Sequence, residues 1–401
     1  MITPALMLLA SAGTVQRWTM INSGYIMRKN IDSIVQPGKY TSHMHSFFGN
    51  DAVNATTSTT DELLSGCATN SNPNDLSVYW HPTLYANNGT DLVPIEARYF
   101  KAYYNSIDTA EIPFPADFKA VAGNASATSA ADVDELWNMS WWCEYGPETS
   151  PDANGWPDAS CNIGRLQTQL LFPDCVNPET LASDYSSRAW LANSNRCPDG
   201  MKRIPQLRFS VRFDTSAALP DGWEGEAPLQ LASGNSYSFH GDFVNGWLPE
   251  AAENMMLASD KGEFQDVPGP RSEVMECTPV DVDPDHGTSD YEESLVLMAA
   301  AKDEDENEDH VLQESATAVP STPVASSSIG AIPSMSKVQP SPSSSYVRAS
   351  SEPVTVETPV GTQSLGSGMP GETELPARPR PWGHRNGRWS GHGHGHGHPR
   401  S

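Results

Sequence analysis

The four histidines between residue 15 and Cys277 are His43, His45, His81 and His240, and their scarcity makes their placement informative. His43 and His45 form an H-x-H in Thr41-Ser42-His43-Met44-His45-Ser46-Phe47-Phe48-Gly49. On a strand, alternate residues face one side, so the two imidazoles are expected to point together. They then offer two neutral nitrogens to a transition metal. The same spacing also suits two imidazoles held in a polar hydrogen-bond network. His240 lies in Tyr237-Ser238-Phe239-His240-Gly241-Asp242-Phe243-Val244-Asn245-Gly246-Trp247. If this is a strand, His240 and Asp242 share a face while Phe239 and Phe243 pack on the other. A carboxylate beside an imidazole orients it and raises its basicity, or both act as ligands. Gly241 and Gly246 permit close backbone approach or a positive φ. His81 precedes Pro82 and reads as a strand-end residue. The candidate site is therefore His43, His45, His240 and Asp242, with the three imidazoles as the metal ligands. The pattern names no particular cofactor; a divalent transition metal is the one it would accept.

Other chemistry is not spelled out. The chain has no G-x-S-x-G elbow, no H-E-x-x-H and no Walker loop. Glycoside hydrolysis needs two carboxylates, and dozens are present, so composition selects no pair. Adjacent Trp141 and Trp142 can stack on sugars, although such a pair on a strand usually points one in and one out. The C-terminal His392, His394, His396 and His398 can chelate metal loosely, since each ligand must be ordered on binding.

The elements that must position these residues read as short strands. Ser77–Trp80, Ala97–Tyr104, Leu166–Phe172 and Leu207–Phe213 are examples, and the last alternates apolar and polar residues cleanly. Turn residues interrupt every apolar run. The expected fold is mainly β, a single sandwich or jelly-roll-like domain with short helices at Asp132–Trp142 and Leu248–Ala258 and long loops. Nine of the eleven tryptophans fall within residues 15–277.

Composition bounds the rest. The 401 residues carry a formal net charge of −26, which excludes a general nucleic-acid binder. No apolar stretch reaches about 18 residues, so no membrane-spanning helix is expected. Up to Cys277 there are 33 acids and 16 bases. Residues 281–314 then hold 13 acids against Lys302 alone, and 315–377 are rich in Ser, Thr and Pro. The expected boundaries are a signal peptide over 1–12, a folded domain over 15–277 and a disordered tail over 278–401. All six cysteines, Cys67, Cys143, Cys161, Cys175, Cys197 and Cys277, lie in the folded part without C-x-x-C spacing. An even number suggests three disulfides. Pairing Cys143 with Cys161 and Cys175 with Cys197 would close short loops and leave Cys67 and Cys277 to tie the domain's ends. Sequons at Asn54, Asn88, Asn124 and Asn138 fit a glycosylated, secreted domain.

These motifs resemble a family. Ile34–Gly49, Cys67-Ala68-Thr69, Ser77–Tyr85, Phe172-Pro173-Asp174-Cys175, Cys197-Pro198, Ile204–Leu207 and Phe239–Trp247 follow, in order, the pattern of the "domain of unknown function nineteen ninety-six" family over about residues 25–260. The resemblance implies a secreted fungal protein, at times beside WSC carbohydrate-binding domains, with no agreed activity. It points to the cell wall, with wall polysaccharide as the partner. One stretch departs from the pattern: Asp184-Tyr185-Ser186-Ser187-Arg188 stands where relatives have Asp-His-Lys-Ser-His. The reading that follows is a protein binding carbohydrate, a metal ion or both at His43, His45, His240 and Asp242. The alternatives are a wall-polysaccharide hydrolase or lyase, and a non-catalytic scaffold whose site is lost with those two histidines. Oligomeric state is not legible.

Overall fold

The computed structural model describes residues 17–146, 148–186, 195–257 and 267–302, all within one unit, Met1–Thr322. The expected signal peptide, the Ser/Thr/Pro-rich stretch and the histidine-rich end lie outside the described residues.

In chain order the strands are Thr19–Ser23 (β1), Tyr25–Lys29 (β2), His45–Gly49 (β3), Val78–Pro82 (β4), Leu84–Asn87 (β5), Leu92–Ile95 (β6), Ala97–Asn105 (β7), Lys119–Gly123 (β8), Ser140–Cys143 (β9), Arg165–Leu171 (β10), Cys175–Val176 (β11), Ser183–Asp184 (β12), Lys202–Arg203 (β13), Gln206–Asp214 (β14), Leu229–Leu231 (β15) and His240–Val244 (β16). They form four antiparallel sheets. Two have five strands, ordered β1-β7-β14-β10-β9 and β2-β3-β4-β16-β8; two have three, β12-β11-β13 and β15-β5-β6. The fold is mainly β, as the alternation predicts. In β14, Leu207, Phe209, Val211 and Phe213 are buried while Arg208 and Arg212 are half-buried on the other face.

The five-stranded sheets pack face to face. Phe48 of β3 stacks on Phe100 of β7, ring centroids 4.4 Å apart, and Tyr79 of β4 meets Phe209 of β14 edge-on. The Tyr79 hydroxyl donates to Asp75 Oδ2 at 2.6 Å and lies 2.7 Å from the Tyr104 hydroxyl, a polar link across the core. Burial pushes the Asp75 carboxyl up to about 6. His81 shares this inner face, stacked on Phe48, and its Nδ1 donates to the Pro82 carbonyl at 2.9 Å. It is a core residue.

Side chains of β3, β4 and β16 that point the other way build a second, smaller core. Phe47, Val78, Trp80 and Val244 meet Ile31, Val53, Ala55 and Leu63 from the covering loops. Helix Pro249–Met256 matches the helix expected after Leu248, which is its N-cap. The helix expected over Asp132–Trp142 is corrected: two 3₁₀ turns, Ala130–Asp132 and Glu135–Trp137, lead into β9. Trp141 faces inward against Trp156, Phe213 and Phe239, and this packing draws the segment onto the edge of β10 as a strand.

The three disulfides are Cys67–Cys277, Cys143–Cys161 and Cys175–Cys197, closing separations of 210, 18 and 22 residues. Closing a longer loop removes more entropy from the unfolded chain. The double change Cys67→Ala/Cys277→Ala is therefore expected to cost about 5 kcal/mol, against about 3 kcal/mol for either short loop. Urea unfolding of the three double variants checks this; equal losses would contradict the loop-length account.

Ordered packing continues beyond Cys277, the limit that composition suggests for the folded part. Lys29 Nζ pairs with Asp281 at 2.8 Å, the Tyr40 hydroxyl donates to Asp283, and Thr288 N donates to Asn30 Oδ1 at 2.6 Å. Gln230 Nε2 donates to the Tyr291 hydroxyl at 3.0 Å, and residues 291–302 are helical. No helix among the described residues is long and apolar enough to cross a membrane.

Candidate metal centre

The centre sits on the outer face of the β2-β3-β4-β16-β8 sheet. His45 of β3 is paired with Pro82 of β4, and Asp242 of β16 with Trp80 of the same strand. That register sets His240 level with Pro82, so two imidazoles flank a short proline ring and can approach each other. His43 enters from the loop that precedes β3. Gly123 lets β8 run close beside β16. Its φ is +86°, and a Cβ there would lie 2.5 Å from the Phe239 carbonyl oxygen.

Three ring nitrogens converge. His43 Nε2 lies 3.1 Å from His240 Nε2, and His45 Nε2 lies 3.2 Å from that same atom. The backbone fixes two of the tautomers. His45 Nδ1 donates to the Ile31 carbonyl at 2.9 Å, and His240 Nδ1 to the Ser238 carbonyl at 2.8 Å. A neutral imidazole has one N–H, so both facing Nε2 atoms carry bare lone pairs. Their contact has no proton to share. Burial holds His240 down at about 4 and pushes His43 and His45 well below 6.5, with His240 also opposing charge on His43, and His43, His240 and His81 on His45. All three are neutral at pH 7.

Converging lone pairs fit a cation. Two nitrogens at about 2.0–2.1 Å from one zinc are about 3.3 Å apart at the tetrahedral angle and about 2.9 Å apart at a right angle. The observed separations fall between. The carbonyls of Ile31 and Ser238 hold the imidazoles of His45 and His240 as outer partners hold metal ligands, so the two would be aimed for an ion.

Asp242 shares the His240 face, as the alternation requires, but it does not orient the imidazole. Both of its oxygens are buried without a hydrogen-bond partner, and the Ser238 carbonyl orients His240 instead. Sequence reasoning missed Asp32. Its Oδ1 accepts from the Ile34 and Val35 amides at 2.9 Å each, and the folded loop brings it to His45 and Asp242. An Asx turn was the one local signal at that position.

A cleft of about 690 Å³ opens onto Asp32, His43 and His240. Hydroxyl and amide side chains such as Ser42, Asn124, Ser126, Thr128, Ser233 and Asn235 line it, with Met298 and Lys302 at its edge and no aromatic ring. His43 is half-buried, so the fourth position around the imidazoles faces this cleft. Tyr185 is not part of the cleft; its hydroxyl donates to the Leu171 carbonyl at 2.9 Å. The three-imidazole cluster forms without that segment, and Arg188 lies outside the described residues. Asn88, Asn124 and Asn138 are exposed and Asn54 is half-buried.

The model of the domain of unknown function (DUF1996) matches residues 32–247, just over half of the chain. This chain belongs to that family. The DUF1996 match opens on Asp32 and closes on Trp247, so it encloses all three imidazoles and both buried carboxyls. No curated protein and no solved structure matches the chain.

Proposed function

We propose that this DUF1996 domain is an extracellular module that holds a divalent transition metal on His43, His45 and His240 and uses it to bind carbohydrate in the adjoining cleft. One observation carries the reading: three neutral Nε2 atoms face one point, two of them deprotonated by backbone hydrogen bonds. The hydroxyl and amide side chains of Ser42, Asn124, Ser126, Thr128, Ser233 and Asn235 in the lining support a polyhydroxylated ligand. Six cysteines in three disulfides, with exposed sequons, support an extracellular address.

A second reading is a hydrolase or lyase acting on polysaccharide. The open side of the centre favours it, because catalytic zinc sites keep one position for water or substrate. A bound ion would supply Lewis acidity, and the Asp32 carboxyl lines the same cleft, where it can accept a proton.

The test uses the full chain with His392, His394, His396 and His398 changed to alanine, so that the tail cannot retain metal. Calorimetric zinc titration is expected to give a site that His45→Ala weakens by at least about 1,000-fold, more than the 10–100-fold loss typical of an outer partner. Zinc binding unchanged in His45→Ala would sink the proposal. Metal-dependent retention on wall glucans, mannans or uronans without turnover supports binding; released oligosaccharide supports the enzyme.

A further inference from the structure

The carboxyl group of Asp242 has no structural explanation. It is 0% exposed, and neither oxygen has a hydrogen-bond partner. Ionised carboxylates are otherwise buried only when donors or a counter-charge surround them. It sits level with Phe47 and Trp80 in a row of the small core, where an apolar side chain would complete the packing. Asp32, 3% exposed, lies beside it, and neither forms an ion pair with a lysine or arginine among the described residues. Lys29, on the strand paired with β3, is committed to Asp281. Two acidic groups thus adjoin with no protein cation between them.

We propose that the centre takes two divalent cations, one on the imidazoles and the second held by Asp32 and Asp242 beside His45. This rests on the three-imidazole reading above and extends it to a binuclear centre. One ligand atom each from Asp32, His45 and Asp242 lies within 4.8 Å of the others, and the same holds for His43, His45 and His240. Two metal–ligand bonds in line span about 4.2–4.6 Å, so small side-chain movements close either set. The donor chemistry differs between the positions. Three imidazoles suit zinc or copper, whereas two carboxylates also admit manganese or magnesium. A second cation supplies the counter-charge that the two carboxylates lack. It also explains why an acid stands where a hydrophobic residue would pack. Paired ions about 3.5–4 Å apart act as a clamp on oxygen atoms, so a ligand presenting two adjacent oxygens fits the cleft floor.

Native mass spectrometry of the full chain lacking its four C-terminal histidines, after equilibration with excess zinc and removal of free metal, reads the stoichiometry. Two zinc ions per chain are expected in the parent. Asp242→Asn and Asp32→Asn are each expected to retain the ion on the imidazoles, and His45→Ala the one on the carboxylates. One ion in the parent, unchanged in both Asp variants, overturns the second position and leaves the imidazole site standing. No ion in the parent overturns both. Two ions retained in Asp242→Asn and in Asp32→Asn place the second elsewhere and overturn this assignment. Asp32 lies on a loop and Asp242 on a strand, so the two variants do not share one folding defect. Metal-free Asp242→Asn is expected to melt no lower than the metal-free parent, since an unpaired buried carboxyl is removed.

Discussion

Lowering the pH from 7 to 4.5 is expected to destabilise the domain, and any metal on the imidazoles would be released with it. His81 and His240 are fully buried, and burial brings each down to about 4. In the unfolded chain both return to about 6.5. Between those values the unfolded state binds more protons than the folded one, so stability falls as pH falls. The loss starts below about pH 6.5 and levels off near pH 4. By pH 4.5 each histidine contributes about 2.5 kcal/mol, and the pair about 5 kcal/mol, against the 5–15 kcal/mol of a whole domain. His43 and His45, also held well below their ordinary value, add in the same direction. Asp75, Asp242 and Asp32 oppose them, since burial raises each carboxyl and the folded state gains those protons first. For Asp75, raised to about 6, the gain is about 2 kcal/mol by pH 4.5. Four depressed histidines stand against these three acids, so the net change is expected to follow the histidines. Bound zinc would steepen the transition, because its ligands must be deprotonated. Urea unfolding of metal-free protein at pH 7, 6, 5 and 4.5 measures the effect. His81→Gln, on the opposite face of the sheet from the imidazole cluster, is expected to remove about half of the pH dependence contributed by His81 and His240. Equal stability at pH 7 and pH 4.5 would refute the prediction.

The sequence shows the side chains of this centre better than it shows what aims them. The His240–Asp242 alternation is a period-2 signal that β16 enforces, whereas His43 lies in the loop before β3, so the H-x-H pair converges through the course of that loop and not through the strand alternation its spacing suggested. Scarcity also helped, since four histidines in a domain leave few combinations. Asp32 was hidden because its part depends on how residues 30–44 fold back over β3, and spacing carries no trace of that closure. The Ile31 and Ser238 carbonyls were hidden too, for backbone atoms have no residue type to read. Trp141 and Trp142 misled the helix expectation over 132–142, since their core contacts outweigh a local apolar spacing. Acidic composition placed the fold's limit at Cys277. A few specific contacts, with Lys29, Tyr40, Asn30 and Gln230, are enough to seat the next 25 residues on the domain, and net charge cannot anticipate them.

Gly246→Ala is expected to destabilise the domain by about 3–5 kcal/mol although the residue touches no part of the centre. Gly246 follows β16, the strand that carries His240 and Asp242. A Cβ there would lie 2.3 Å from the Leu76 carbonyl carbon, 2.4 Å from its oxygen and 2.5 Å from Ser77 N. These are backbone atoms, so no rotamer change relieves the clash. The same backbone is bonded to Gly246: Leu76 N donates to the Gly246 carbonyl at 3.1 Å, and Gly246 N donates to Ser77 Oγ at 2.9 Å. Relief therefore requires β4 and β16 to separate, which breaks these bonds and parts Trp80 from Asp242. Such overpacking costs about 1–3 kcal/mol in a compliant core, and here the loss of two buried hydrogen bonds adds about 1 kcal/mol each. Gly38 is the control. Its φ of +75° strains any other residue, yet a Cβ there would meet Thr56 Cγ2 at an ordinary 3.8 Å. Gly38→Ala should cost about 1 kcal/mol, the backbone strain alone. Soluble yield and the midpoint of thermal unfolding separate the two variants. The close approach seen in Gly246 would be the wrong explanation if its alanine variant melted within a few degrees of the parent and still bound zinc.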